Sequence, residues 1–152
     1  MEKRSVLFAD DDRDFRSFMK DAIEEVSKNI ETELIITEAQ DGAEAIKLFD
    51  ESINQKKPFD IVVTDYMMPS ASGLQVIKHI IKTNPVPIIV MSAYKEAETV
   101  DFIKEGAIIF ISKPFQFAQI ISAFSEAVSL SLVEEDIKKA EESIKELEKL
   151  TS

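Results

Sequence analysis

Apolar stretches of strand length recur along the chain as SVLFA, LIITEA, DIVVT, VPIIVMS and AIIFIS. They are rich in Val and Ile and mostly lack period-two alternation, the pattern of strands buried on both faces. Between them the period changes. Phe15, Phe18, Met19, Ala22, Ile23 and Val26 recur at i, i+3, i+4, i+7, i+8 and i+11, which predicts an amphipathic helix. DGAEAIKLFDESI, SGLQVIKHIIK and EAETVDFIKEG predict three more, less sharply. Glycines punctuate these elements, Gly42 and Gly73 near helix starts and Gly106 as a stop after Lys104 and Glu105. Pro85 and Pro87 fall at the entry of the fourth strand, where a missing N–H costs least. Strict strand–helix alternation implies an α/β fold, a doubly wound parallel sheet of five strands covered by helices on both faces. Residues 1–128 form this domain, its first unit beginning near Arg4.

In such sheets the ligand site lies beyond the carboxyl ends of the strands. The first strand ends in Asp10, Asp11 and Asp12, the third in Asp65, the fourth in Ser92, and the fifth runs into Lys113 and Pro114. The second offers little beyond Glu38. Residues distant in sequence thus converge on one edge. The stretch FDIVVTDYMMPSASG, residues 59–73, makes the point sharply, because an apolar run suited to burial stops at a carboxylate. A buried charge is expensive unless paired or metal-bound, so Asp65 is either a turn residue or a working group. Several carboxylates held close are not all comfortably ionised without a cation between them. Mg²⁺ suits them, since it takes oxygen ligands and is usually held by one or two carboxylates together with phosphate. An ammonium opposite binds phosphate as a point charge, and Asp is a competent nucleophile toward phosphorus.

Composition narrows the class. A length of 152 residues with 45% hydrophobic content supports a real core. Sequence reading finds no run long enough to span a bilayer, and MEKRSVLFADDD turns acidic too soon for a signal peptide. The absence of cysteine excludes a disulfide framework and fits a cytoplasmic protein. A formal net charge of -11 repels a phosphate backbone, which points away from direct nucleic-acid binding and toward protein partners or small cations.

The motifs VLFADDDRDFR, DGAEAI, DIVVTDYMMPSASG, VMSA and GAIIFISKPF stand in the order and spacing of one family. Over residues 5–128 the chain resembles the CheY-like receiver domains of two-component response regulators. The resemblance implies a flavodoxin-like sheet of strand order 2-1-3-4-5. It also implies Mg²⁺ held by Asp10, Asp11, Asp65 and the backbone carbonyl of Met67, with Asp65 accepting phosphate from the histidine of a sensor kinase or a phosphotransfer protein. Ser92 hydrogen-bonds the phosphoryl group and Lys113 pairs with it; Ser in place of the commoner Thr keeps the hydroxyl. The switch residue is Phe110, three before Lys113, whose ring turns inward as Ser92 moves toward phosphate; Phe in place of the more usual Tyr removes a hydroxyl. Output passes to a downstream protein through the surface that this changes. Met67 and Ala93 lie beside the site, and a cis peptide before Pro114 aims Lys113. Asp12 reads as the N-cap of the first helix, and His79, the only histidine, as a surface residue.

Residues 116–150 contain no Gly or Pro, and an unbroken helix of that length runs roughly 50 Å at 1.5 Å per residue. Residues 129–152 therefore form a helical extension. Leu130, Val133, Ile137, Ala140, Ile144 and Leu147 follow an a/d heptad pattern. That pattern makes a coiled-coil homodimer the leading reading, against a helix folded back on the domain or a linker to another one; Asp136 facing Glu141 in a parallel pair counts against it. Two rivals to the phosphoacceptor remain. One is a haloacid dehalogenase-type hydrolase using Asp10 as nucleophile with Asp12 as D-x-D, although Arg13 and Asp14 do not continue that motif. The other is an interaction module indifferent to phosphorylation, whose business is the coil.

Overall fold

The computed structural model describes residues 2–93 and 108–151. Five strands, β1 (Glu2–Ala9), β2 (Thr32–Ala39), β3 (Ile61–Asp65), β4 (Ile88–Ser92) and β5 (Ile108–Ser112), form one sheet of order β2-β1-β3-β4-β5, parallel throughout. Helices α1 (Arg13–Ile30), α2 (Gly42–Asn54) and α3 (Gly73–Thr83) alternate with the strands, and a C-terminal helix spans Phe117–Thr151. The segment EAETVDFIKEG, with Gly106, lies outside the described residues.

Strand pleating divides the core in two. Val6, Phe8, Val63, Ile89 and Ile111 face Met19, Ile23 and Val26 of α1 and Ile120, Phe124 and Ala127 of the C-terminal helix. Leu7, Ala9, Val62 and Val90 point the other way, against Ala45 and Phe49 of α2 and Val76, Ile77 and Ile80 of α3. This two-sided burial explains the near-continuous apolar runs in β1, β3 and β4. It fails for β2. That strand is an edge of the five-stranded sheet, its burial alternates over Thr32–Ile35, and Ile35 is left 46% exposed.

Local chemistry starts each helix. Asp12 caps α1, accepting from the N–H groups of Asp14 and Phe15, as its sequence position suggests. Asp41 caps α2 by accepting from Glu44 N–H, and Ser72 and Gln75 cap α3 reciprocally.

Two expectations gain detail. The first part of the C-terminal helix includes an 18-residue stretch long and apolar enough to cross a bilayer by composition. Its Ile120, Ala123, Phe124, Ala127 and Val128 are instead buried against the sheet, so much of that apolarity serves the core. His79 is also more than a surface residue: its Nε2 lies 2.6 Å from Asp50 Oδ1 and its ring meets Phe49 edge-on, which ties α3 to α2.

Beyond Ser131 the C-terminal helix leaves the body at the edge where the strands begin, and its remaining side chains are exposed apart from the half-buried Glu134. Arg4, on β1, anchors the exit. Its guanidinium lies 2.9 Å from Glu2 and 3.4 Å from Glu135, and donates to the Lys3 carbonyl.

Candidate functional site

Register places the chemistry. Ala9 pairs with Thr64, Asp65 with Met91, and Ser92 with Ser112, so the strand ends are level. The next residue after β1, Asp10, and the next after β5, Lys113, therefore meet the last residue of β3, Asp65, at one edge. The backbone locks this meeting, with Asp10 N–H on Ala39 O at 3.1 Å, Tyr66 N–H on Met91 O at 3.2 Å and Lys113 N–H on Ser92 O at 2.7 Å.

Among the described residues, Asp10, Asp11 and Asp65 form a carboxylate cluster, each offering an oxygen within 4.8 Å of the others. They differ in surroundings. Asp10 is buried, Asp65 half-buried and Asp11 exposed. Oδ1 of Asp10 accepts from Asp12 N–H at 2.8 Å, whereas its buried Oδ2 accepts no hydrogen bond. The nearest cation to that oxygen, Lys113 Nζ, stands 3.5 Å away, close enough for ionic attraction but outside good hydrogen-bond length. Burial pushes the Asp10 pKa above its ordinary value; the Asp12 N–H and Lys113 oppose the rise, and the charges of Asp65 and Asp11 add to it. An orphaned buried carboxylate oxygen among three acidic groups is the environment a hard divalent cation satisfies, so the residues fit Mg²⁺.

Asp65 is held by its Oδ1, which accepts from Tyr66 N–H at 2.8 Å, while Oδ2 faces Lys113 Nζ at 3.4 Å. Lys113 also sits 4.1 Å above the centre of the Phe15 ring. Its ammonium is thus set between two carboxylates and an aromatic face, held by ionic and cation–π attraction. The Lys113–Pro114 peptide is cis, as expected. Ser92 is buried at the end of β4. Phe110 is half-buried on β5, packed with the core layer of α2 and α3. Met67 lies in the loop two residues past Asp65 with its side chain 55% exposed, and Ala93 is exposed just past β4.

Sequence reading missed two contributors. Phe15 looked like one more apolar position of α1, yet it stacks with Phe18, meets Phe115 edge-on and supports Lys113. Arg16 donates to the Asp10 carbonyl at 2.7 Å and approaches Glu38 at 3.7 Å, fixing the turn that presents Asp10 and Asp11. Glu38 is therefore the contribution of β2 to the site. Asp12, the second acid of the D-x-D reading, has an oxygen engaged in capping α1, which leaves it ill placed to act as a proton donor over Asp10.

The loop after Asp65 is also constrained from behind. Gly73 N–H donates to Tyr66 O at 2.7 Å, and a Cβ at residue 73 would strike the Asp65 carbonyl and stand 2.7 Å from Tyr66 Cα. Gly73→Ala must therefore displace the backbone that carries Asp65. We expect a loss of about 1–3 kcal/mol in denaturant unfolding and a weaker Mg²⁺ response of the thermal midpoint; unchanged values for both would show that the loop yields freely.

A family model described as the response regulator receiver domain matches residues 6–125. The chain is similar to the chemotaxis protein CheY of Thermotoga maritima, 38% identical over 128 residues that cover 83% of this chain and 98% of that one. It is similar to CheY of Listeria monocytogenes at 36% over 112 residues, 72% of this chain and 89% of that one. Among solved structures, it is similar to the CheX-CheY-BeF3-Mg+2 complex from Borrelia burgdorferi, with a TM-score of 0.63 and 27% identity over 80% of this chain and 86% of that one.

Proposed function

The chain belongs to the response regulator receiver family, and from that premise we propose that it is the phosphoacceptor switch of a two-component system, phosphorylated on Asp65 by a histidine kinase or phosphotransfer protein. The observation that carries this reading is the unsatisfied Asp10 Oδ2, buried beside Asp65 and Lys113 at the carboxyl edge of the sheet. Asp10, Asp11, Asp65 and the Met67 carbonyl would hold Mg²⁺, whose charge offsets the carboxylates and the phosphoryl oxygens.

The protein's own groups supply alignment. With Oδ1 tied to Tyr66 N–H, Asp65 attacks through Oδ2; the new O–P bond forms as the P–N bond to the donor imidazole breaks, and the imidazole leaves. Lys113, steadied on Phe15, balances charge on the transferred group, and the Ser92 hydroxyl donates to it. Ser92 moves to make that bond and Phe110 turns inward, which alters the surface read by a downstream protein. The chain accepts phosphate and assists its own phosphorylation and dephosphorylation rather than turning over a substrate.

The donor protein has a footing. Phe15, Phe18, Pro114 and Phe115 line an apolar notch beside Lys113, and Phe18 is 59% exposed. The CheY of the similar complex was solved with BeF3, Mg+2 and the protein CheX, which supports a metal, a phosphoryl-like group and a protein partner here. We place the chain in the cytoplasm, away from nucleic acid given its net charge of -11, with residues 129–152 as an extension through which two copies associate.

Treatment with acetyl phosphate and Mg²⁺ followed by peptide mapping tests the assignment. An adduct on Asp65 is expected; an adduct on Asp10 would favour the hydrolase.

A further inference from the structure

Up to Ser131 one face of the C-terminal helix is spent on the body, through Ile120, Ala123, Phe124, Ala127, Val128 and Ser131. Past that point Val133, Ile137, Ile144 and Leu147 are each more than half exposed. At 100° per residue these four fall, with Leu130 and Ala140, on a stripe roughly 140° around the helix from the face that packs on the sheet. Upstream on the same stripe stand Gln119, Ser122 and Glu126, all polar. The stripe turns apolar where the body ends. A helix laid along residues 130–147 of this stripe would meet the extension.

We propose that this stripe is the seam of a parallel, in-register, two-stranded coil formed with a second copy of the chain. The proposal rests on the self-association reading above and adds its orientation and register. Ile137 and Ile144 at a with Leu147 at d are the choices that favour two parallel strands. Charge decides the direction. The e positions are Glu134, Glu141 and Glu148; an antiparallel pair sets e against e, carboxylate against carboxylate along its whole length. A parallel pair sets the same three residues against Ser129, Asp136 and Ser143 of the second copy, leaving one repulsive layer. That layer, Asp136 facing Glu141, weakens the pair without reversing it. The extension is also ready to pair, because its helix grows from a buried segment and is held at the exit by Arg4, so association does not carry the cost of nucleating a helix.

Sedimentation of the full chain over a concentration series, combined with disulfide mapping, tests this. Wild type is expected to dimerise, and Ile144→Glu to remain monomeric with an unchanged thermal midpoint for the receiver body. Asp136→Lys converts the repulsive layer into an attractive one and should tighten the dimer about tenfold. The chain has no cysteine, so Ile144→Cys and Val133→Cys each introduce a single thiol; in-register parallel pairing sets a against a and d against d and links each variant to itself under mild oxidation, whereas antiparallel pairing sets 133 against 144. A dimer that links only when the two variants are mixed is antiparallel and overturns the orientation while sparing self-association. A dimer that survives Ile144→Glu places the contact elsewhere and overturns the seam. Wild type that stays monomeric throughout overturns both readings.

Discussion

Replacing Asp65 with Asn should abolish phosphoryl incorporation altogether. The amide keeps the shape of the side chain, and its oxygen can still accept from Tyr66 N–H, the bond that orients Oδ1 at 2.8 Å. It lacks the nucleophilic, charged oxygen that faces Lys113 at 3.4 Å. Intact-mass measurement after acetyl phosphate and Mg²⁺ should show the adduct on wild type and none on Asp65→Asn. A second effect runs the other way. Removing one of three adjacent carboxylates relieves like-charge repulsion, so the metal-free variant should be slightly more stable than wild type. Retained incorporation at the wild-type level would sink the acceptor assignment. A variant that lost incorporation but kept full partner binding and cellular output would instead favour the module indifferent to phosphorylation.

Asp10→Asn separates stability from metal binding. Asp10 is 1% exposed and its folded pKa lies above the ordinary 3.8, chiefly through burial. The folded chain therefore holds this proton more tightly than the unfolded chain. The stabilising contribution of the group is full below the ordinary pKa, is lost as pH rises through the raised folded value, and at neutral pH the ionised carboxylate is a net cost of folding. Asparagine, which never ionises, escapes that cost. The metal-free variant should exceed wild type in stability at neutral pH and show a higher thermal midpoint. The difference should shrink as pH falls toward the ordinary carboxylate value, where wild-type Asp10 is also neutral. Mg²⁺ reverses the ranking. At one hundred times its dissociation constant, the ion stabilises wild type by about 2.7 kcal/mol, and the variant, short of a buried ligand, should respond little. Thermal melts of both proteins from acid to neutral pH, with and without Mg²⁺, read all of this at once. A stability gap that does not change with pH would mean that the burial cost of Asp10 has been misassigned.

Much of the site was legible in the sequence because a parallel sheet obeys a simple geometric rule: every strand delivers its last residue to the same edge. Asp10, Asp65, Ser92 and Lys113 could each be placed there from the end of an apolar run, and the register bears out the placement. Phe15 and Arg16 were not legible in the same way. Helical periodicity separates the covered face from the exposed one, but it does not say how far a side chain in the first turn reaches along the sheet. Phe15 reaches Lys113 and Arg16 reaches the Asp10 carbonyl because Asp12 starts α1 immediately beside the end of β1. The contact of His79 was not legible for a related reason: its partner, Asp50, belongs to another helix, and the contact depends on how α2 and α3 lie together. The half-exposed β2 shows the limit of composition, since an edge strand can be nearly as rich in Ile as a central one.

The buried start of the C-terminal helix and its ion pair with Arg4 make the extension a lever with its fulcrum on β1. About twenty residues stand past Ser131, the last buried residue of the helix, an arm of roughly 30 Å at 1.5 Å per residue. A tilt of about 10° where the helix leaves the sheet therefore sweeps its tip through roughly 5 Å, so a small readjustment of packing beneath Phe124 and Ala127 becomes a displacement large enough for another protein to sense.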